Sequence, residues 1–319
     1  MVFYRIVLLG LLMGAIGFAP SAQAGPLFYA VSNDMISGNN EILIVNDDGS
    51  HAPWNITWEG DIELYNPRGI ARDAAGNVYV NDSEFIYRIT PSGQGGIFAV
   101  KPSESYGYGV AVDAQGYIYA VGSVNPYYGI YKFDPDGDLV DTWVSFGALS
   151  NLVVGPDGAL YSGDSVGAMV YRFDPATGVR SDYASVPNAG DVAFGPDGTL
   201  YVGSFDAVYQ VAEGEVSEVL NRRVYNVYGL AVDGEGKLYI GNNRSNWDNE
   251  ILLHLPGTGT SSYSIFANLS DEQTITGIVM VPQAIPEPYT LSLLLAGGIF
   301  LMIYRRSKGE KRCKLLKRL

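Results

Sequence analysis

The sequence has one cysteine, Cys313, and two histidines, His51 and His254, among its 319 residues. Residues 25–285 therefore contain no thiol, and no disulfide can hold this part of the chain together. Histidine is the usual general base and metal ligand near neutral pH, so its scarcity argues against a catalytic site built on imidazole. We interpret the two histidines as solvated residues of loops or outer strands.

Basic residues are also scarce, and the sign of the charge changes along the chain. Residues 25–285 contain 32 acidic and 11 basic residues, whereas residues 305–319 contain eight basic residues and one acidic residue. The net charge of −21 in the first segment repels phosphates and anionic lipid surfaces. Nucleic acid is therefore excluded as an expected partner.

The N-terminus has the three parts of a secretory signal peptide. Arg5 precedes an apolar run over residues 6–18, and Ala22 and Ala24 form a small-x-small cleavage site. This order predicts Sec-type export with cleavage after Ala24. An uncleaved membrane anchor is the alternative interpretation.

The C-terminus carries a second apolar segment, residues 289–304, followed by the basic tail 305–319. As a helix, the segment would be about 24 Å long at about 1.5 Å per residue. It is thus shorter than the roughly 20 residues that usually span a bilayer. We predict a short transmembrane helix, and the positive-inside rule places the tail in the cytoplasm.

Pro286, Glu287 and Pro288 stand directly before this segment, and Arg305 and Arg306 follow it. This order of parts resembles the PEP-CTERM sorting signal of Gram-negative bacteria over about the last 35 residues. The resemblance implies recognition by an exosortase, cleavage near the motif, and delivery to the outer cell surface or extracellular matrix after transient anchoring in the inner membrane. The tail is longer than this family usually shows, so a permanently anchored protein is the alternative.

Between the two ends the sequence repeats itself every 38 to 42 residues. Each copy contains a short apolar run, a turn with Asp and Gly, and an alternating run that includes a tyrosine. A third alternating run and a fourth, less regular one follow. Four antiparallel strands per repeat of about 40 residues are typical of a β-propeller blade. The five copies begin at Gly69, Gly109, Asn151, Asp191 and Gly229.

The incomplete repeats at the two ends set the number of blades. Leu27–Val31 and Glu41–Val45 match the second and third strands of a blade, and Gly277–Val281 supplies the missing first strand. We therefore predict an all-β, six-bladed propeller closed by strands from both termini, which protects the edges. The spacing leaves no room for a seventh blade. The predicted parts are a signal peptide (1–24), the propeller (25–282), a Pro-Glu-Pro linker (283–288), a transmembrane helix (289–304) and a cytoplasmic tail (305–319).

The repeat, Gly-[Ile/Val/Leu]-Ala-x-Asp-x-x-Gly-x-[Val/Ile/Leu]-Tyr in its clearest copies, resembles the NHL and gluconolactonase-like (regucalcin) propellers over about residues 26–282. The second family implies a Glu, an Asn and an Asp that hold a divalent metal near the central opening. None of the equivalent positions here, just before each first strand, is a carboxylate or an amide. Asn151 and Asp191 lie one residue away and would compensate if the register differed by one. The six positions are Arg68, Tyr108, Ser150, Gly190, Tyr228 and Thr276.

The acidic turn 134–138 is the other feature that suggests a metal, in this case Ca²⁺. It departs from the EF-hand template, because Leu139 takes the place of the glycine and Ser145 that of the final glutamate. The chemistry of tight turns explains its Asp and Gly residues better. We therefore predict no cofactor, with Ca²⁺ as the weaker alternative.

Tyrosine is abundant, with 23 copies, and several lie in or beside connections between blades. A flat ring with a polar tip suits saccharide stacking or a protein–protein contact. By contrast, the tyrosine of each second strand is expected to pack between blades. The candidate ligand-binding residues are Arg68, Tyr106, Tyr108, Ser150, Tyr225 and Tyr228.

Two functions compete on this basis. The first is an exported, exosortase-sorted propeller that binds exopolysaccharide or a surface protein without catalysis. The second is a secreted gluconolactonase-like or lyase-type enzyme, which rests on the resemblance of fold alone. The sequence contains no His-Glu-x-x-His or phosphate-loop motif, and this favours the first function.

Overall fold

A computed structural model describes residues 26–34, 40–102, 107–124, 127–145, 147–221, 224–243, 249–257, 262–269, 273–282, 292–295 and 298–301. The chain divides into two compact units, Met1–Pro282 and Gln283–Leu319. The predicted signal peptide, the Pro286–Pro288 motif, Arg305, Arg306 and Tyr106 lie outside the described residues.

The first unit is a ring of six antiparallel sheets, each a propeller blade. Blade 1 contains β1 (Phe28–Asp34), β2 (Glu41–Val45) and β3 (His51–Pro53). Blade 2 contains β5 (Gly69–Arg72), β6 (Val78–Asn81), β7 (Phe85–Ile89) and β8 (Gln94–Val100), with β4 (Thr57–Trp58) beside β8. Blade 3 contains β9 (Val110–Val112), β10 (Ile118–Val124), β11 (Tyr127–Phe133) and β12 (Leu139–Ser145).

The remaining blades follow the same order from the innermost to the outermost strand. Blade 4 contains β13 (Val153–Val154), β14 (Leu160–Asp164), β15 (Met169–Phe173) and β16 (Arg180–Ser185). Blade 5 contains β17 (Val192–Phe194), β18 (Leu200–Gly203), β19 (Ala207–Ala212) and β20 (Glu215–Asn221). Blade 6 contains β21 (Gly229–Val232), β22 (Leu238–Asn242), β23 (Glu250–His254) and β24 (Ser264–Asn268), and β25 (Gln273–Met280) then completes blade 1.

The closure of the ring by both termini is confirmed. β25 pairs antiparallel with β1, from Phe28 opposite Met280 to Asp34 opposite Gln273. The strand begins four residues earlier than the predicted Gly277–Val281. Closure leaves the innermost strand of blade 1 hydrogen-bonded within a sheet, so β1 and β25 cannot separate without breaking a ladder of hydrogen bonds.

A feature that the repeat does not predict is the parallel pairing of β4 with β8. Thr57 and Trp58 lie opposite Gln94 and Gly95. A Cβ on Gly95 would lie 2.5 Å from the ring of Trp58, so glycine is required for this close approach. The added strand covers the outer edge of blade 2, which would otherwise present unpaired backbone groups.

The core consists of six hydrophobic clusters, one at each junction between neighbouring blades. The second-strand tyrosines pack there as predicted; Tyr119, for example, is 1% exposed. Its hydroxyl also donates a hydrogen bond of 2.9 Å to Oδ2 of Asp113 in the inner hairpin turn. Tyr161 makes the same bond with Asp157. In blades 2, 3, 4 and 6 the Asp of the inner hairpin turn and the second-strand tyrosine are therefore a structural pair that ties the turn to the core.

In the second unit the structure describes two short strands, β26 (Ser292–Leu295) and β27 (Gly298–Leu301), which pair antiparallel. The transmembrane helix predicted over 289–304 is therefore not shown. A continuous apolar run has no periodicity that distinguishes a helix from strands, which explains the difference. No helix long and apolar enough to cross a membrane occurs among the described residues.

Candidate ligand-binding cavity at the centre of the ring

A cavity of about 650 Å³ opens where the innermost strands of all six blades begin. Every blade contributes to its wall through the residue just before its innermost strand or near that strand's start. Its volume lies within the range of about 300 to 1,000 Å³ that is usual for small-molecule sites. The six positions that the repeat predicted at the central opening all line it, namely Arg68, Tyr108, Ser150, Gly190, Tyr228 and Thr276.

Most of the remaining polar lining is uncharged. It consists of side-chain amides and hydroxyls, which can both donate and accept hydrogen bonds. Aromatic rings stand at the wall as well: Phe205 is 58% and Tyr228 is 50% exposed. The uncharged polar residues that complete the wall are Asn33, Asn151, Asn188, Asn226, Ser165, Ser204 and Thr274.

Arg68 is held in place on the wall of blade 2. Its Nε donates to Oδ1 of Asn66 over 3.4 Å, and its guanidinium lies 5.2 Å from the ring centroid of Tyr108. Asn66 is fixed in turn, because its backbone N–H donates to Asp82 over 2.7 Å and its Oδ1 accepts from Asn33 over 2.6 Å. The cation and the tyrosine ring therefore form one ordered surface.

On the opposite side of the ring, blades 4 and 5 contribute an amide–carboxyl pair. Nδ2 of Asn151 donates to Oδ1 of Asp191. The backbone N–H of Val192 donates to the same oxygen over 2.8 Å, and that of Leu230 donates to Oδ2 over 2.5 Å. Asp191 is 1% exposed, and burial raises the pKa of its carboxyl to about 7. Oδ1 of Asn151 is buried without a hydrogen-bond partner.

The cavity does not include every candidate from the sequence. Tyr225 is exposed beside it, and its backbone N–H donates to Oδ1 of Asn242 over 2.7 Å. Asn188 and Asn226, which the sequence did not indicate as site residues, both line the cavity and both adopt a positive φ, 49° and 44°. Asparagine tolerates this left-handed region better than most residues. Asn66, Asn188 and Asn226 each stand two residues before a central position, a repeated signal that could have identified them.

The residues present do not fit a resident divalent metal. Ca²⁺ takes six to eight oxygen ligands, whereas both oxygens of Asp191 already accept hydrogen bonds from three N–H groups. The described part of the chain contains no group of three or more His, Cys, Asp or Glu residues that could hold a metal. In the acidic turn, Oδ1 of Asp134 accepts the backbone N–H groups of Asp136 and Asp138, both over 3.0 Å, which is turn chemistry.

The histidines are not at the cavity either. His254 was expected to be solvated, but it is 6% exposed in β23, and its Nδ1 lies 2.7 Å from the carbonyl oxygen of Ser262. β23 is buried on both faces, with four of its five residues buried, and His254 is one of them. The imidazole is therefore a hydrogen-bonded structural group on the third strand of blade 6, and it does not line the cavity.

Comparison with known proteins supports the fold alone. No protein-family model matches the chain, and no curated protein matches it in sequence. A solved protein of unknown function from Bacteroides caccae is similar over 79% of this chain and 98% of its own, with 16% identity and a TM-score of 0.59. A streptogramin B lyase is similar over 77% and 84%, with 15% identity and a TM-score of 0.56.

A gluconolactonase from Xanthomonas campestris is also similar, over 83% of this chain and 96% of its own, with 16% identity and a TM-score of 0.53. Such identities establish a shared architecture and no shared activity. The chain is thus a six-bladed β-propeller whose structural neighbours include lyase and gluconolactonase enzymes.

Proposed function

We propose that this protein is an exported, non-enzymatic binding module that holds an exopolysaccharide or a surface protein in its central cavity. The observation that carries the proposal is the composition of the wall: amides, hydroxyls and exposed rings surround a cavity of about 650 Å³. Such a wall provides hydrogen bonds and stacking surfaces. Among the described lining residues there is no paired acid and base, and no set of three acidic, histidine or cysteine metal ligands, of the kind that catalysis of hydrolysis requires.

Export and sorting belong to the same proposal. The support is the sequence: a signal peptide over 1–24, then Pro286–Pro288 followed by an apolar segment and Arg305 and Arg306. An exosortase is the expected processing partner, and the outer cell surface or extracellular matrix is the expected destination. Replacing Glu287 and the two flanking prolines by alanine should leave the protein in the membrane fraction, whereas wild type should reach the surface.

The binding proposal is tested by a pull-down of the purified protein with the extracellular polysaccharide of the producing organism, with and without Ca²⁺. Saturable binding in both conditions supports a calcium-independent matrix module. Binding only in the presence of Ca²⁺ would show that the protein uses Ca²⁺ as a cofactor. Failure to bind in either condition would contradict the polysaccharide part of the proposal and direct the search to surface proteins.

A second candidate, a gluconolactonase-like or lyase-type enzyme, is favoured by one observation. The Asn151–Asp191 pair places an amide and a carboxyl of raised pKa at the central cavity. Metal analysis of the purified protein, together with assays on sugar lactones, separates the two functions. A stoichiometric, tightly bound divalent ion and turnover that is lost in Asp191→Asn would establish the enzyme instead of the binding module.

A further inference from the structure

We infer that the cavity takes the end of a neutral saccharide chain, rather than an internal segment or a charged polymer. This inference rests on the proposed binding function and deepens it. It follows from three properties of the described cavity: its accessible charge, its arrangement of rings and hydroxyls, and the single face of the ring from which it is built.

The first property is the near absence of accessible charge. Arg68 and Asp191 carry the only formal charges among the described lining residues. Asp191 is sequestered, because three N–H donors surround its two oxygens and its side chain is 1% exposed. A single cation in a segment of net charge −21 does not overcome the long-range repulsion of a polyanion. A neutral ligand meets no such barrier.

The second property is the pairing of rings with uncharged polar groups. Tyr228 and Phe205 present half-exposed faces, and Asn226 and Thr274 lie on the same wall. A sugar ring has an apolar face that stacks on an aromatic ring and a rim of hydroxyls that both donate and accept. The amides and hydroxyls of the wall offer the complementary donors and acceptors. Arg68 can also donate to hydroxyl oxygens, since it bears five N–H donors.

The third property is that the cavity is built from one end of the ring. Its lining residues lie just before the innermost strands, near their starts, or at the ends of second strands and in the loops that follow them. None belongs to the inner hairpin turns at the other end, such as those of Asp113 and Asp157. The backbones of neighbouring inner strands approach closely: a Cβ on Gly109 would lie 2.2 Å from the backbone nitrogen of Leu152. A chain terminus can enter such a cavity from the open face.

The test uses the full-length protein in mild detergent and the extracellular polysaccharide of the producing organism, separated by anion exchange into neutral and acidic fractions. Binding is measured at 50 and 500 mM NaCl, and short oligosaccharides from partial hydrolysis serve as competitors. Tyr228→Ala and the near-isosteric Thr274→Val are compared with Tyr183→Ala, whose ring is 40% exposed on the outer strand β16. Circular dichroism and thermal unfolding verify that each variant is folded.

We expect the neutral fraction to bind at both salt concentrations and short oligosaccharides to compete fully. Tyr228→Ala should weaken binding by about ten-fold or more, Thr274→Val should weaken it by a smaller factor, and Tyr183→Ala should not change it. Binding of the acidic fraction alone, lost at 500 mM NaCl, would overturn the inference and leave the proposed function standing. Competition only by long oligosaccharides would overturn the chain-end geometry. Binding of neither fraction would overturn both the inference and the polysaccharide function.

Discussion

Asn151 and Asp191, which lie just before the innermost strands β13 and β17 of neighbouring blades, are joined side chain to side chain at the central cavity. Asp191 continues the connection, because its Oδ2 accepts the backbone N–H of Leu230 in the next blade. Three blades are thus linked through one buried carboxyl. At the corresponding positions of the other four blades stands a glycine, Gly69, Gly109, Gly229 or Gly277.

The raised pKa of Asp191 predicts a specific dependence of stability on pH. The folded-state pKa is about 7, above the unfolded value of about 3.9. Between these values only the folded state holds the proton, so the stabilising contribution is fully present below pH 4 and is lost as the pH rises to 7. The linkage relation gives a loss of about 3 to 5 kcal/mol over this range.

Urea unfolding at pH 5 and pH 8 tests this linkage. Asp191→Asn cannot titrate, so the variant should gain stability relative to wild type as the pH rises from 5 to 8. The matched control is Asp182→Asn, on the exposed part of β16, which should follow wild type at both pH values. A constant difference between Asp191→Asn and wild type would show that Asp191 is ionised throughout and would refute the pKa assignment.

The Asp113–Tyr119 pair of the inner hairpin of blade 3 should contribute measurably to stability. Tyr119→Phe removes the hydroxyl that donates to Asp113 and leaves the buried ring in place. The expected loss is about 1 kcal/mol in the free energy of unfolding, the usual net value of one hydrogen bond, and somewhat more for a charged acceptor. Tyr183→Phe is the control, and equal stability of the two variants would argue against the pair.

Because the ring is closed at the junction of blades 6 and 1, replacing Asn243 at this junction should lower the free energy of unfolding more than replacing an exposed asparagine. The side chain of Asn243 accepts from the backbone N–H of Ile275 over 2.8 Å and donates to its carbonyl over 2.9 Å. Asn243→Ala leaves both backbone groups of the closing strand unpaired and buried, at about 1 to 3 kcal/mol for each. Asn46→Ala, which affects an exposed turn, should change the midpoint of urea unfolding little.

Two glycines without positive φ should respond to alanine in opposite directions. A Cβ on Gly109 would lie 2.2 Å from the backbone nitrogen of Leu152, whereas a Cβ on Gly234 would meet nothing within 4 Å. Gly109→Ala should therefore destabilise the protein by about 3 kcal/mol or more, through displacement of a neighbouring blade. Gly234→Ala should be neutral or stabilise it by about 0.4 to 1 kcal/mol. Thermal unfolding of both variants measures the contrast.

The repeat made the fold predictable because most blades have the same pattern of turn and strand residues. The blades were predictable from the Asp and Gly of each turn and the tyrosine of each second strand. The number six and the closure by β25 were predictable from the repeat that is divided between the two termini. The additional strand β4 was not predictable, since its pairing with β8 depends on the long-range fit of Trp58 over Gly95. Nothing in the repeat encodes that contact.

The cavity was predictable only in part, because the repeat does not encode contacts between residues that are distant in the sequence. The positions just before each first strand follow from the register, and all six line the wall. Phe205 and Ser165 come from loops that differ between blades, so their approach to the centre depends on tertiary structure. The sequence indicated Asn151 and Asp191 only as alternative metal ligands for a register shifted by one residue, and it did not predict the hydrogen bond between them. The two residues are 40 positions apart in the sequence, so only the tertiary structure brings them into contact.

The most direct test of the central claim, that the cavity binds a saccharide, is isothermal titration calorimetry with extracellular polysaccharide from the producing organism. Wild type and Tyr108→Ala/Tyr228→Ala are compared, with thermal unfolding as the check that the ring is intact. We expect saturable binding by wild type and a loss of at least about ten-fold in affinity for the double variant. Equal binding by a folded double variant would contradict the claim that this cavity is the site.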